Sequence, residues 1–179
     1  WSEWIRLVEN IDNPKKKIKI AMVGKYIDIG DFSLYDSYIS VNQAILHAGA
    51  QLGVHVDIKW VDAKAIERNG PSVLGEYGGV IVTGGFGGSG VEGKIKAIEY
   101  ARKNNLPFLG LCYGLQLATV EYARNVCGLK DAHTTEIEPQ TRHPVIDVLT
   151  TQRQILAESR YGATMRLGAF AAVLKERSV

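Results

Sequence analysis

Long apolar runs and cysteines are scarce in this sequence. No apolar stretch approaches the roughly 20 residues that span a bilayer, and the chain does not open on a signal-peptide pattern. Two cysteines among 179 residues are too few for a disulfide framework and fit a reducing compartment. We therefore expect a cytoplasmic protein without a membrane partner.

An excess of charge of one sign is also missing. The chain has 21 basic and 19 acidic residues, interspersed, for a net charge of +2. We expect no nucleic-acid partner and interpret the only basic run, Lys15-Lys16-Lys17, as a solvated linker. Apolar residues are abundant, since 46% of the chain is hydrophobic and 8% is aromatic. This composition excludes intrinsic disorder and suffices for one globular domain.

The first 17 residues predict a leader helix. Its apolar residues have helical spacing: Trp4, Leu7, Val8 and Ile11. Asn13-Pro14 then ends the helix. Such an amphipathic segment suggests a connection to something upstream, so we predict a linker over 1–17 and a globular domain over 18–179.

From Ile18 onward, strand patterns alternate with helix patterns. Strands are predicted over 18–24, 54–60, 80–82 and 106–111, and helices over 38–52, 91–104 and 115–126. Single helices between successive strands require right-handed crossovers and form a parallel sheet. We predict an open, mostly parallel α/β sheet with helices on both faces, and a small β extension from strands at 145–149 and 164–173.

A cysteine lies at the centre of Gly110-Leu111-Cys112-Tyr113-Gly114, between a predicted strand and a predicted helix. Its small neighbours allow a tight turn that exposes the sulfur, as a nucleophile elbow exposes a serine, and the helix amino terminus favours negative charge there. A buried core cysteine is the alternative, but this position favours a nucleophile. Cys127 lies about 22 Å further along that helix, too far for a disulfide, and we interpret it as structural.

A glycine-rich loop over 83–90 follows the preceding strand. If the two strands are neighbours, the loop lies beside Cys112, because the carboxyl ends of parallel strands meet at one edge of the sheet. Its amides and that of Tyr113 could then bind the oxyanion formed when a thiolate attacks a carbonyl. This arrangement indicates acyl transfer.

The same loop also matches the dinucleotide fingerprint G-x-G-x-x-G over residues 85–90. That fingerprint normally follows the first strand of its unit and needs a carboxylate about 20 residues later. Here the next strand ends in Leu111-Cys112-Tyr113, which offers none. The dinucleotide alternative is therefore disfavoured.

A cysteine nucleophile usually needs a base, and the candidates are His47, His55, His133 and His143. We expect His47 on the surface of a helix and His55 on the solvent-exposed face of an edge strand. The other two lie in the irregular region after the Cys112 helix and could approach the sulfur. Spacing alone assigns none of them.

Several motifs, in a fixed order from about Asn13 to Ala169, resemble the class I glutamine amidotransferase domain of the CTP synthase family. The motifs are Gly110–Gln116, Gly84–Gly87 with Val91–Ile95, and Ala132–Glu136, supported by Val23–Tyr26, Glu121–Asn125 and Thr164–Ala169. The resemblance implies a flavodoxin-like glutaminase in which Cys112 attacks the side-chain amide of glutamine. A thioester and ammonia would form, and water would then release glutamate.

The resemblance also implies which residues hold glutamine. They are Gly84, Gly85, Phe86, Tyr113, Gly114, Leu115, Gln116 and Glu136. Gly85 and Tyr113 would supply the oxyanion amides, Phe86 would be a lid-like aromatic, and Glu136 would hold the α-ammonium group of glutamine. Arg166 matches an arginine associated with a response to GTP.

The family's whole enzyme is a ligase of pyrimidine biosynthesis. Ammonia passes to an amino-terminal synthase, or amidoligase, domain that converts UTP to CTP with ATP and magnesium, and GTP activates the coupling. The resemblance therefore implies partnership with that domain and a homo-oligomer formed through it. It implies no cofactor or metal in the glutaminase domain itself.

The chain departs from the family pattern at several positions. The family's catalytic His-Pro-Glu motif does not occur in residues 1–179, since His143-Pro144 is followed by Val145, and the His-Arg-His-Arg segment is absent too. Thr83 replaces a proline and Ser89 an arginine. We therefore expect a domain incomplete at its carboxyl end, with little turnover by itself. A non-catalytic regulatory or scaffold domain and a cysteine hydrolase of the related peptidase type stay open as alternatives.

Overall fold

The computed structural model describes residues 1–24, 28–29, 32–33, 38–85, 87–149, 152–153 and 173. The chain divides into two compact units, Trp1–Asp147 and Val148–Val179, and the elements below belong to the first. The helices are α1 (Ser2–Asp12), α2 (Ile39–Leu52), α3 (Ala63–Asn69), α4 (Val91–Lys103) and α5 (Tyr113–Asn125). The strands are β1 (Lys16–Gly24), β2 (Asp28–Ile29), β3 (Phe32–Ser33), β4 (Val54–Asp62), β5 (Gly79–Val82), β6 (Phe108–Gly110), β7 (Ala132–Thr134) and β8 (His143–Ile146).

A four-stranded parallel sheet with the order β4-β1-β5-β6 forms the centre of the first unit. Buried, strand-forming runs such as Ala21-Met22-Val23 fill its middle, as expected where both faces are covered. The predicted parallel sheet is confirmed, and β4 lies at its edge as the alternation over 54–60 indicates. The strand order reverses beside β1, which makes the carboxyl edge of the sheet a natural site for ligands.

Helices cover both faces of this sheet. The crossover through α2 runs from β1 to β4, whereas those through α3 and α4 run in the opposite direction, so right-handed connections place them on opposite faces. Helix α4 contacts α3 and α5. Its Ile95 and Ile98 pack with Val82 and Leu117 in the buried core, and each such side chain stabilises the fold by about 1.5–3 kcal/mol.

Helix α1 is the leader helix that the sequence predicts. It contacts α2, and the Asn10 side chain donates to the Ala50 carbonyl at 2.8 Å. Its Trp1, Trp4 and Ile11 remain exposed. Among the described residues, no helix is both long and apolar enough to cross a membrane.

The bounds of all four strands of the central sheet differ from the predicted ones by one or two residues at an end. β1 begins at Lys16, so that two lysines of the basic run pair with Val54 and His55 instead of lying in a linker. A long lysine side chain can keep its charge in water while its backbone pairs with the neighbouring strand. A strand boundary predicted from side-chain polarity is therefore placed too late in the sequence. The division of the chain at residues 17 and 18 stays a prediction.

The β extension after α5 consists of β7 and β8, which pair in parallel. The sequence predicts only one strand in this region, at 145–149, and misses β7. Three residues are too few for an alternating pattern, and a tertiary contact holds β7 in place, since Arg124 Nε donates to the Ala132 carbonyl at 2.7 Å. The strand predicted at 164–173 lies outside the described residues, apart from Val173.

An ion pair between α4 and α5 is buried at one end. Glu121 is 1% exposed and receives Arg102 Nη2 at 2.6 Å, together with Arg102 Nε and the Asn125 amide. Burial raises the pKa of Glu121, but the hydrogen bonds from Arg102 and Asn125 and the charge of Arg102 outweigh it, so the pKa lies below its ordinary value of 4.5. The carboxylate therefore stabilises the fold above pH 4.5, and this contribution disappears as the pH falls through the lowered pKa.

Removing Arg102 should expose the cost of that buried carboxylate. We expect Arg102→Met to lower the free energy of unfolding at pH 7 by about 3–5 kcal/mol, because one buried partner loses its counter-charge. The loss should shrink towards pH 4, where the carboxyl can protonate. Urea unfolding at both pH values measures it. Lys103→Met breaks an exposed pair with Glu99 and should cost no more than about 0.5 kcal/mol; equal losses in the two variants would contradict the assignment.

Candidate active site

Cys112 forms the turn between β6 and α5. It is the N-cap residue of α5, with φ 51° and ψ −107°, a conformation that costs a non-glycine residue about 1–3 kcal/mol. The thiol is exposed. The predicted elbow is therefore present, and the alternative of a buried core cysteine is wrong.

Two glycines allow this turn to be so tight. A Cβ atom on Gly114 would lie 2.1 Å from the Val82 carbonyl oxygen, and one on Gly110 would lie 2.7 Å from the Leu115 nitrogen. Real Cβ atoms do not approach backbone so closely, so only glycine lets α5 begin directly against the sheet. The turn holds Cys112 through its neighbours, with the Leu111 amide donating to the Val82 carbonyl at 3.0 Å.

The glycine-rich loop lies beside the cysteine. β5 and β6 pair in parallel, with Val82 opposite Gly110, so the segments that follow the two strands emerge side by side. A Cβ atom on Gly84 would lie 3.5 Å from the Cys112 Cβ. The predicted neighbourhood of loop and sulfur is confirmed.

Two backbone amides near this junction have no hydrogen-bond acceptor within the described part of the chain. The Tyr113 amide opens α5, where helices leave their N–H groups unpaired. The Gly85 amide follows Gly84, and Gly85 has a φ of 146°, which favours glycine. These are the amides that the sequence predicts as oxyanion donors, and that role stays a prediction.

Glu136 reaches the same loop from the segment after β7. The Gly87 amide donates to its Oε1 at 2.7 Å, and the Tyr113 hydroxyl donates to the Gly87 carbonyl at 3.3 Å. Burial, with a smaller contribution from Glu136, raises the pKa of Tyr113 to about 12, so the hydroxyl stays a donor at neutral pH. Because a carboxylate occupies the Gly87 amide, this N–H group of the described part of the loop is not available to a dinucleotide phosphate.

The other predicted glutamine-binding residues lie on the first turn of α5 or outside the described residues. Gln116 is half-buried one turn after the cysteine, and its backbone N–H donates to the Cys112 carbonyl at 3.2 Å. Leu115 is 61% exposed. Phe86 and Arg166 lie outside the described residues.

Comparison with known proteins decides the family. A family model described as glutamine amidotransferase class-I matches residues 33–169, which is more than half of the chain. The chain belongs to this family. It is similar to the CTP synthases of Sulfolobus acidocaldarius and Methanopyrus kandleri, with 50% identity over 177 and 182 residues and coverage of 98% and 100% of this chain. Each match covers 32% of the relative, so the chain spans about a third of the length of these curated relatives.

A solved structure agrees in both sequence and fold. The glutaminase domain of Trypanosoma brucei CTPS, determined with bound acivicin, is 37% identical, with a TM-score of 0.68. The match covers 75% of this chain and 51% of that one. The predicted fold, an open, mostly parallel sheet flanked by helices as in class I glutamine amidotransferases, is therefore confirmed.

Lys94 of α4 lies against the glycine-rich loop, a contact that sequence reasoning missed. It is 1% exposed, and its Nζ donates to the carbonyls of Thr83 and Gly84 at 3.1 and 3.4 Å. The same ammonium lies 5.6 Å from the centre of the Tyr113 ring. A signal was available, because Lys94 lies three residues after Val91 and four before Ile98, on the apolar face of its helix.

The described contacts of the four histidines assign none of them as the base. His47 and His55 are exposed, as predicted. His133 accepts the Thr134 amide on Nδ1 at 2.9 Å, and its Nε2 lies 3.9 Å from Glu92. Burial, and then the charge of Arg124, lowers the pKa of His133, so that it is neutral at pH 7. Its Nδ1 therefore accepts from the next residue of the chain, and its Nε2 lies near a carboxylate.

His143 and Cys127 belong to other parts of the described chain. His143 begins β8, opposite Ala132 in the pairing with β7. The general base therefore stays unassigned. Cys127 follows the end of α5 and is exposed, and its interpretation as a structural cysteine stays a prediction.

Proposed function

We propose that this chain hydrolyses glutamine to glutamate and ammonia as the glutaminase part of a CTP synthase. The observation that carries the proposal is an exposed thiol on a strained strand-to-helix turn, beside a glycine loop so close that a Cβ atom on Gly84 would lie 3.5 Å from the Cys112 Cβ. A residue keeps a strained backbone conformation only where the surrounding contacts hold it there, and such residues are typical of functional positions. The likeness to relatives named CTP synthase supports the choice of glutamine.

The residues at the turn suit an acyl transfer. The Cys112 thiolate would attack the side-chain carbonyl carbon of glutamine, forming a carbon–sulfur bond while the carbonyl π electrons move to oxygen. The amides of Gly85 and Tyr113 would stabilise that oxyanion. Collapse of the intermediate breaks the carbon–nitrogen bond and, after proton transfer to nitrogen, releases ammonia. Water then cleaves the thioester to glutamate, and the thiol is restored.

Further side chains would position the substrate. Gln116 lies one turn from Cys112 on the same helix and Glu136 reaches the loop from the other side, so glutamine would lie between them. We propose that the Glu136 carboxylate holds the α-ammonium group. Phe86 as a lid-like aromatic and Arg166 as part of a GTP response are carried over from the family pattern alone.

The activity of the whole protein is a further part of the proposal. Ammonia would be used by an amidoligase domain that converts UTP to CTP with ATP and magnesium, with GTP as activator. A homo-oligomer formed through that domain, a cytoplasmic location and a place in pyrimidine biosynthesis belong to the same proposal. The likeness to the archaeal CTP synthases over 98–100% of this chain supports it.

The test uses the natural protein at its full length. We expect it to release glutamate from glutamine, and to form CTP from UTP and ATP with either glutamine or ammonium as nitrogen source. CTP formation from ammonium but not from glutamine would reject the glutaminase role and leave the synthase role standing. Calorimetric binding of glutamine without a thioester detectable by mass spectrometry would instead favour a non-catalytic regulatory domain.

Glu136 provides a separate prediction about substrate binding. Glu136→Gln keeps the size and hydrogen-bonding oxygen of the side chain but removes its charge. We expect the KM for glutamine to rise about tenfold or more, equivalent to roughly 1.4 kcal/mol, because the α-ammonium group loses its counter-charge, while kcat changes little. Steady-state glutaminase kinetics measure this split. Glu138→Gln alters an exposed carboxylate two residues away and should leave KM unchanged; equal effects would contradict the assignment.

A further inference from the structure

The buried ammonium of Lys94 has an unusual location for a lysine. Its side chain is 1% exposed, and an ammonium loses several kcal/mol of hydration when it is buried without partners. Here it is compensated by two carbonyl oxygens of the glycine-loop segment, those of Thr83 and Gly84, and by the face of the Tyr113 ring. The charge therefore lies between the two segments that flank Cys112.

The Gly84 carbonyl shares a rigid peptide unit with the Gly85 amide. The peptide is planar and trans, so its oxygen and its N–H point in opposite directions. The Lys94 ammonium and the Tyr38 hydroxyl both donate to that oxygen, each at 3.4 Å. Because Lys94 and Tyr38 hold the Gly84 oxygen, the N–H of Gly85 points away from both of them.

Peptide units between glycines can rotate at little energetic cost, because glycine populates both signs of φ. The Gly84–Gly85 unit would thus sample orientations in which its N–H points away from the thiol, unless something holds it. Gly84 lies against Cys112, with the ideal Cβ position of Gly84 3.5 Å from the Cys112 Cβ. The orientation of this one peptide therefore decides whether an oxyanion formed at Cys112 finds the Gly85 amide as a second donor beside the Tyr113 amide.

We propose that Lys94 is a positioning residue for glutamine hydrolysis, whose ammonium fixes the Gly84–Gly85 peptide so that the Gly85 amide faces the oxyanion. The inference rests on the proposed glutaminase function. It assigns to a buried helix residue a role in transition-state stabilisation without contact with substrate. Tyr38 assists through the same carbonyl.

Lys94→Met in the full-length natural protein tests this inference, since methionine keeps the aliphatic stem and removes the charge. We expect the kcat for glutamine hydrolysis to fall about tenfold or more, because losing an oxyanion donor typically reduces kcat by 10²–10³, while KM changes little. Alkylation of Cys112 by iodoacetamide should keep its wild-type rate, because that displacement forms no oxyanion. Comparing the two reactions thus distinguishes an effect on the Gly85 amide from an effect on the reactivity of the sulfur.

Lys96→Met is the matched control. Lys96 lies on the same helix and its ammonium also binds a backbone carbonyl, that of Glu67 at 2.8 Å, which belongs to α3 and not to the glycine loop. The Lys96→Met variant should retain the wild-type kcat. Circular dichroism and thermal unfolding check that both variants are folded. If Lys94→Met does not fold, Tyr38→Phe replaces it and should lower kcat severalfold, again with unchanged alkylation.

The outcomes separate this inference from the function on which it rests. A wild-type protein that releases no glutamate rejects the glutaminase role, and the inference with it. With an active wild type, a folded Lys94→Met that retains wild-type kcat would overturn the inference alone. So would an equal decrease in hydrolysis and alkylation, because Lys94 would then act on the thiol itself. If Tyr38→Phe has to replace it, an unchanged kcat has the same consequence.

Discussion

Cys112→Ala is expected to reduce glutamine hydrolysis by the full-length protein by about 10⁴-fold or more, as removal of a covalent nucleophile does in other acyl-transfer enzymes. The thiol is exposed at the N-cap of α5, and it is the group that we propose forms the thioester. Ammonium-dependent CTP formation should be unaffected, because it bypasses the thioester. Measuring glutamate release and both modes of CTP formation in the same preparation checks this prediction.

Cys127 offers a matched control for that experiment. It is the other cysteine of the sequence and is also exposed, so a reagent that selects for exposure alone would label both. A glutamine-like electrophile should modify Cys112 in the wild type and in Cys127→Ala, and nothing in Cys112→Ala. Undiminished labelling of Cys112→Ala, or glutaminase loss in Cys127→Ala, would contradict the assignment.

Gly114→Ala is expected to damage both the stability and the activity of the protein. Alanine improves helix propensity by up to about 1 kcal/mol, but its Cβ would lie 2.1 Å from the Val82 oxygen and 2.9 Å from the Val82 carbonyl carbon. Overpacking of this kind costs about 1–3 kcal/mol or more, and backbone of a central strand cannot yield. We expect a net loss of about 2 kcal/mol or more in the free energy of unfolding.

The loss of activity in this variant should exceed what unfolding explains. Relief of the clash moves the start of α5, and Cys112 and the Tyr113 amide move with it. A misplacement of about 1 Å can reduce rates 10²-fold. Urea unfolding and glutaminase assays measure the two effects. Gly78→Ala is the control, since its Cβ would meet only ordinary contacts at 3.6 and 3.9 Å, and wild-type behaviour of Gly114→Ala would show that the turn tolerates a side chain.

Local patterns were enough to predict the elements that build the site. The apolar runs and helical periodicities over 18–126 correctly indicate a parallel sheet, because strand and helix periods differ and alternate cleanly there. The glycines around Cys112 predict the elbow, since a strand that turns at once into a helix leaves no room for side chains. Boundaries are less predictable, as Lys16 shows, because backbone pairing can continue into a polar segment.

The remaining parts of the site depend on partners distant in sequence. The contact of Glu136 with the Gly87 amide spans 49 residues, and β7 is held by Arg124. The contacts of the His133 ring, with the Thr134 amide and near Glu92, are likewise seen only in the structure. No local pattern encodes such contacts.

The sequence by itself determined the four strands of the central sheet, the helices α1, α2, α4 and α5, the exposed cysteine and the glycine loop, because each follows from periodicity or from the space that a turn allows. Only the tertiary structure decided that Lys94 is buried beneath the loop and that Glu136 reaches it. Burial and hydrogen bonding are properties of what surrounds a side chain, and a lysine has the same place in a helical pattern whether its charge meets water or two carbonyl oxygens.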